Sequence, residues 1–263
     1  MKIGVSTASL FLRKHTEDAL EFLSQNQIET TEVFLETYSE YNREFGRVLK
    51  SKKGNIDVNS IHVLTTQYEP QLYSVNERAK EDSFVFLDGA MQAGEEIGAK
   101  YYTFHGGARF KKTPMVLDFD RIGEITCRIN DVCNKHGVQL TYENVHWCYY
   151  NYPGFFKELK KRCPFLKGVL DIKQASQSGY DYREYLNDMA GDIVTVHLSD
   201  VTENGKLCLP TCGTFDFNEL FSRLKDTGFD GAFLIECYKN DFNELEELKV
   251  SVEKLKEIAY KIF

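Results

Sequence analysis

The stretch VQLTYENVHWCYYNYPGFFKELKKRCPFLKGVLDIK, residues 138–173, reads as one strand–helix–strand unit whose strand-like runs end at Glu143 and Asp171. Each run is apolar before its acid and turn-like soon after it, and FFKELKKR between them reads as the connecting helix. The same grammar recurs on either side. NSIHVL (59–64) ends at His62, YYTFHGG (101–107) at His105, IVTVHLSD (193–200) at His197 and FLIECY (233–238) at Glu236. Six imidazoles and carboxylates at the ends of six successive runs predict one site assembled at one rim of a barrel. That is the pattern of an α/β chain folded as a (β/α)8 TIM barrel, in which residues leaving the carboxyl ends of the strands share the site.

Working outward, strand-like and helix-like stretches alternate along the whole chain, which predicts a parallel sheet covered by helices. KIGVST opens the series and is followed by the helix HTEDALEFLSQ, with Thr16 expected as its cap. TTEVFLE is the second strand. A helix over about 39–53 follows it, and a longer one, VNERAKEDSFVFLDGAMQAGEEIG, follows the third strand and ends at Gly98. A helix from Phe119 to His136 stops at Gly137, where a glycine cap is expected. DYREYLNDM, FNELFSRLKDTG and the final FNELEELKVSVEKLKEIAYKI complete eight strand–helix units, with GAFLIECY as the eighth strand. No low-complexity linker or internal repeat interrupts them, so residues 1–263 are expected to form one barrel domain. Two connections, TTQYEPQLYSVN and VTENGKLCLPTCGTF, exceed the usual few residues of a βα loop and are the expected carriers of specificity.

Composition sets the broad class. A chain of 263 residues has the size of a single barrel, and 42% hydrophobic residues with 19 Phe and 15 Tyr supply its core. The net charge of −8, with no Lys/Arg-rich run, makes nucleic acid an unfavourable partner. No run is long enough to span a bilayer, and MKIGVSTASLFL enters a strand pattern directly without the features of a signal peptide, so a soluble cytoplasmic protein is expected. Seven cysteines, an odd number, fit reduced thiols. Cys208 and Cys212 have a C-x3-C spacing without a second ligand pair and read as structural; Cys148 and Cys237 lie close in sequence to Glu143 and Glu236 and read as wall residues.

Glu143, Asp171 and Glu236 on adjacent inner strand ends would repel one another without a cation, which is the reason to expect a metal. Three histidines add neutral nitrogen donors, and a mixed nitrogen and oxygen set favours zinc, manganese, iron or cobalt over calcium. The runs TFHGG, TYEN, LDIKQA, HLSD and IEC resemble the motifs of the xylose-isomerase-like TIM barrels, which include apurinic-site endonucleases, tagatose and psicose epimerases, and inosose dehydratases and isomerases. The resemblance covers nearly the whole chain in strand order. It implies a divalent ion, zinc, manganese or cobalt, held by Glu143, Asp171, His197 and Glu236. It also implies that Glu143 and Glu236 form the acid/base pair that moves a proton next to a carbonyl. Mapping the endonuclease pattern adds His62 and His105 as ligands of a second ion; otherwise they hold substrate hydroxyls.

Departures from the family pattern narrow these expectations. Gln174 stands where the family usually has histidine, and ENGKLCLPTCG lacks the Asp-x-His of the endonucleases, so their third metal is not expected. Gln174 can still donate to and accept from a sugar hydroxyl. Lys173 either meets a phosphate or carboxylate of the ligand or points outward. Arg109 reads as an anion contact or a solvated loop residue, and Trp147, next to His146, as a pocket wall or as core beneath the strand-five loop. His15 and His136 read as surface or capping groups. The expected function is a metal-dependent isomerase or epimerase of a small sugar, polyol or sugar phosphate, with a homo-oligomer allowed. The alternatives are a metal-dependent phosphodiester hydrolase and a non-catalytic sugar-binding barrel.

Overall fold

A computed structural model describes residues 1–109 and 116–263. Eight parallel strands close into a barrel: β1 (Lys2–Ser6), β2 (Thr30–Leu35), β3 (Asp57–Val63), β4 (Tyr101–Phe104), β5 (Gln139–Glu143), β6 (Lys167–Asp171), β7 (Ile193–Leu198) and β8 (Ala232–Ile235). Each strand pairs with its sequence neighbours, and β8 closes on β1 through Lys2 to Val5 opposite Ala232 to Ile235. The covering helices are α1 (Thr16–Gln25), α2 (Arg43–Lys52), α3 (Glu77–Ile97), α4 (Phe119–Lys135), α5 (Phe155–Lys160), α6 (Ile172–Gln177), α7 (Tyr182–Met189), α8 (Phe217–Asp226) and α9 (Glu246–Ile262). Among the described residues no helix is long and apolar enough to cross a membrane.

The strands are short and buried on both faces, as a sheet walled by helices requires. Phe221, Phe233, Ile235 and Leu255 illustrate the apolar layer between barrel and helices, all essentially without exposure. Chain reversals use the expected glycines: Gly98 ends α3 with φ 73°, and Gly137, φ 69°, follows the cap residue His136 of α4.

Three local features differ from the sequence reading. His15, exposed and without a side-chain cap bond, occupies the cap position of α1, whereas Thr16 is buried and its hydroxyl donates to Phe34 O across 3.1 Å. Thr16 therefore ties α1 to β2 instead of capping. A further helix, α6, begins directly after Asp171, whose side chain accepts from Gln174 N at 2.8 Å and caps it. The ladder between β2 and β3 runs Thr31 to Val58 and then Glu32 to Ser60, skipping Asn59. That bulge lets consecutive residues reach inside the barrel: Asn59 donates to Thr195 Oγ1 at 2.9 Å and Ser60 to Glu32 Oε2 at 2.7 Å.

The two long connections are ordered by their own contacts. The one after β3 folds as short turns over Thr65–Gln67 and Glu69–Tyr73. The one after β7 makes a two-stranded antiparallel pair, Asp200–Val201 with Leu207–Cys208, and returns to donate Gly213 N and Phe215 N to the Asp200 carboxylate.

Candidate metal centre and its cavity

All six strand-end residues lie at the carboxyl rim. Glu143 and Asp171 are the last residues of β5 and β6, His62 and His197 stand one before the ends of β3 and β7, and His105 and Glu236 follow β4 and β8 directly. Registers bring neighbours level, with Asp171 opposite His197 and Leu234, two residues before Glu236, also opposite His197.

Four of these residues converge. One ligand atom from each of Glu143, Asp171, His197 and Glu236 lies within 4.8 Å of the others, the one such group among the described residues. His197 Nδ1 sits between the three acids, 2.7 Å from Glu236 Oε2, 2.9 Å from Glu143 Oε1 and 3.9 Å from Asp171 Oδ2. His62 and His105 stand outside this group. His105 Nε2 is 3.2 Å from Glu143 Oε2, on the side away from His197, and the His62 ring lies 5.6 Å from that of His105.

Two buried acids that sequence reading missed hold the imidazoles. Glu32, on β2 and without exposure, accepts from His62 Nδ1 at 2.7 Å, Ser60 Oγ at 2.7 Å and Thr103 Oγ1 at 2.5 Å. Its Oε1 also lies 3.0 Å from His197 Nε2, which meets it off the line of a hydrogen bond. Glu69, in the loop after β3, accepts from His105 Nδ1 at 2.9 Å and from the Tyr102 hydroxyl at 2.5 Å. Each imidazole thus presents one nitrogen to a supporting carboxylate and keeps the other for the site, the arrangement by which outer partners orient metal or substrate ligands. An acid in the second strand, TTEVFLE, was the available signal for Glu32; nothing local marked Glu69.

The electrostatics fit a cation. Burial alone raises the Glu143 and Glu236 carboxyls, but the fields of His197 with His105, and of His197 with Lys173, outweigh it and hold both below the usual range. Burial disfavours the charged His197 ring, yet Glu236, Glu32 and Glu143 raise it well above the ordinary value. Asp171 is pushed up to about 7, by burial first and by Glu143 and Glu236, with Lys173 opposing. One imidazole cannot satisfy three surrounding carboxylates, and the donor set of one nitrogen and three carboxylates suits a divalent transition ion.

Above the quartet opens a cavity of ≈ 400 Å³ whose lining includes His62, His105, Glu143, Trp147, Gln174 and Glu236. Trp147 reaches this wall because residues 107–109 run antiparallel to 147–149. Tyr149 N donates to Gly107 O and Arg109 N to Trp147 O, each at 2.8 Å. Glycine is required at both positions of the HGG turn. A Cβ on Gly106, φ 86°, would lie 1.9 Å from the Tyr142 hydroxyl, and one on Gly107 would lie 2.3 Å from the Tyr149 ring. Gln174 accepts from His146 Nδ1 at 2.6 Å, a bond that orients its amide.

Arg109 and Lys173 are not in this lining. Arg109 donates to Asn151 Oδ1 at 2.9 Å. Lys173 points inward, its side chain 2% exposed and its ammonium 3.8 Å from Asp171 Oδ2. Cys148 and Cys237 are free and buried, with thiols pushed up chiefly by burial, which leaves neither a nucleophile at neutral pH. Cys208 and Cys212 are free thiols outside any converging group of ligand atoms among the described residues.

Residues 15–258 match a family model described as xylose isomerase-like TIM barrel. Among solved structures the chain is similar to a D-tagatose 3-epimerase-like protein, at 18% identity over 99% of each chain with a TM-score of 0.78. It is also similar to IOLI protein with a binding zinc atom, at 17% identity over 100% of this chain and 99% of that one, TM-score 0.77. A third is D-psicose 3-epimerase with D-tagatose from Clostridium cellulolyticum H10, at 14% identity, the same coverage and TM-score 0.77. At these identities the likeness is one of fold. No curated protein sequence matches the chain.

Proposed function

The chain belongs to the xylose isomerase-like TIM barrel family, and on that premise we propose that it is a divalent-metal-dependent isomerase or epimerase of a small sugar, polyol or sugar phosphate. The observation that carries this reading is the convergence of Glu143, Asp171, His197 and Glu236 at the floor of a cavity large enough for a monosaccharide. Those four residues would hold zinc, manganese or cobalt, and the bound ion supplies Lewis acidity toward a substrate carbonyl.

The protein's own groups account for the rest. Glu143 and Glu236 come from β5 and β8, the two ends of the arc of strands β5 to β8, and so flank a substrate from two sides. Both are held below the usual carboxylate range, so either accepts the proton from the carbon next to the carbonyl, while the other must first take up a proton from solvent before it donates one to the substrate. Return to the same carbon from the opposite side inverts it, and return to the neighbouring carbon isomerises the sugar. His105, fixed by Glu69, and His62, fixed by Glu32, are placed to bind hydroxyls, as is Gln174. Trp147 offers a plane for the apolar face of a sugar ring. Phe11, Leu12, Phe34 and Val145 give the cavity an apolar wall.

The test is solvent-proton exchange in D2O with manganese in excess, using D-tagatose, the sugar named with one structural neighbour, and a panel of other ketoses and their phosphates. The wild type should incorporate deuterium next to the carbonyl of its substrate. Glu143→Gln and Glu236→Gln should each slow incorporation by at least ~100-fold. Incorporation that persists in both variants refutes the acid/base assignment, and nicking of abasic DNA by the wild type would favour phosphodiester hydrolysis instead.

A further inference from the structure

Among the described residues, Lys173 is the one charged group in contact with the quartet that the proposed chemistry does not use. It is the second residue of α6, with a side chain 2% exposed, and its ammonium has no hydrogen-bond partner. The charge faces two things: Asp171 Oδ2 at 3.8 Å and the Tyr238 ring, whose centroid is 4.3 Å away. Asp171 spends its other oxygen, Oδ1, on the backbone of Gln174, so Oδ2 is shared between Lys173 and the centre, 3.9 Å from His197 Nδ1. A buried ammonium without a hydrogen bond is costly, and only a fixed charge next to it makes the position tenable.

We propose that Lys173 is a positioning residue, an internal counter-cation that holds Asp171 and lowers the charge that a bound ion has to offset in the quartet. As ligands of an ion, Glu143, Asp171 and Glu236 would carry three negative charges. The ammonium offsets one and a divalent ion the other two, so the buried cluster is neutral with one ion bound. Glu32, 3.0 Å from His197 Nε2, and Glu69, which holds His105, add further negative charge around the site, so the balance concerns the three ligand acids alone. The inference rests on the reading that the quartet holds a metal.

The experiment is a calorimetric titration of manganese(II) into metal-stripped full-length protein, with melting temperatures of the stripped forms measured alongside. Wild type should bind manganese. Lys173→Met keeps most of the stem and removes the charge; its stripped form should melt several degrees lower, because the carboxylates then repel without relief. It should also bind manganese about tenfold more tightly, because like charges a few ångströms apart in a site of effective dielectric near ~20 repel strongly. Lys173→Arg, which keeps the charge, should stay close to wild type in both respects. If Lys173→Met does not fold without metal, the double variant Asp171→Asn/Lys173→Met should recover the stripped fold, since the stranded charge is then gone. Lys173→Met with an unchanged stripped melting temperature overturns the proposal. So does unchanged or weaker manganese binding by Lys173→Met, including the case in which only KM rises. If wild type takes up no manganese, zinc or cobalt, the metal reading itself fails; the comparison of stripped Lys173→Met with Lys173→Arg still decides whether the ammonium supports Asp171.

Discussion

Glu32→Gln isolates the charge of the carboxylate that anchors two of the three histidines. The swap is nearly isosteric, and Ser60 and Thr103, which donate to Oε2 at 2.7 and 2.5 Å, can rotate their hydroxyls to accept from an amide NH2 instead. The remaining amide oxygen stays with His62 Nδ1, 2.7 Å away, and His197 Nε2, 3.0 Å away. What changes is the strength of these two contacts. A hydrogen bond to a charged group contributes about 1.5–3 kcal/mol and a neutral one about 0.5–1.5 kcal/mol, so the weakened His62 bond costs about 1 kcal/mol. For a chain of this size that is a fall in melting temperature of roughly 2–4 °C. Because the charge beside His197 Nε2 is gone, manganese binding should weaken by about 10–100-fold, the usual effect of changing a carboxylate that supports a metal-ligating histidine. Urea denaturation of the stripped protein reads the first effect, and calorimetric titration with manganese reads the second. If Glu32→Gln unfolds at the wild-type urea concentration and binds manganese with wild-type affinity, Glu32 neither supports the barrel interior nor orients His197, and the reasoning is wrong.

Two further tests address the rim and the turn beside the site. The Glu36 carboxyl is pushed up to about 7, by burial first and by the neighbouring Glu40, so the unfolded chain ionises it near its ordinary value while the folded chain keeps it protonated. Stability is therefore drawn down as pH rises from about 4.5 to 7 and is level above that; Glu36→Gln should raise stability by roughly 1 kcal/mol at pH 8 after allowance for solvent screening, and by nothing at pH 4. Equal melting-temperature gains at both pH values would contradict this. Gly106→Ala and Gly98→Ala both force alanine into positive φ, 86° and 73°, but only the first drives a Cβ into the buried Tyr142 hydroxyl, while nothing lies within 4 Å of the second. Urea denaturation should show a loss of about 1–2 kcal/mol for Gly98→Ala and about 3 kcal/mol or more for Gly106→Ala, and equal losses would mean that the tight packing under His105 carries no energetic consequence.

The sequence by itself determined the eight-strand barrel and the rim on which His62, His105, Glu143, Asp171, His197 and Glu236 stand, because these depend on local signals. A strand of the barrel is an apolar run, its end is a turn, and a polar residue at that end has only one side of the barrel to face. Gly98 and Gly137 were legible for the same reason, as helix ends written in neighbouring residues. Only the tertiary structure decided what surrounds the ligands. Glu32 lies within β2 rather than at its end, and the bulge at Asn59 sets how β3 packs beside it, so no alternation rule could assign its face. Glu69 meets His105 through the path of a loop, and loop paths are set by packing rather than by periodicity. Thr16 was read as a cap because the hydroxyl type allows it, but the carbonyl of Phe34 on β2 claimed it. The burial of Lys173 follows from α6 starting directly after its cap residue Asp171, which leaves the ammonium beside that carboxylate. Backbone order is written in near neighbours, whereas charge balance in a buried site is settled among groups tens to hundreds of residues apart in the chain, which meet only once the barrel has closed.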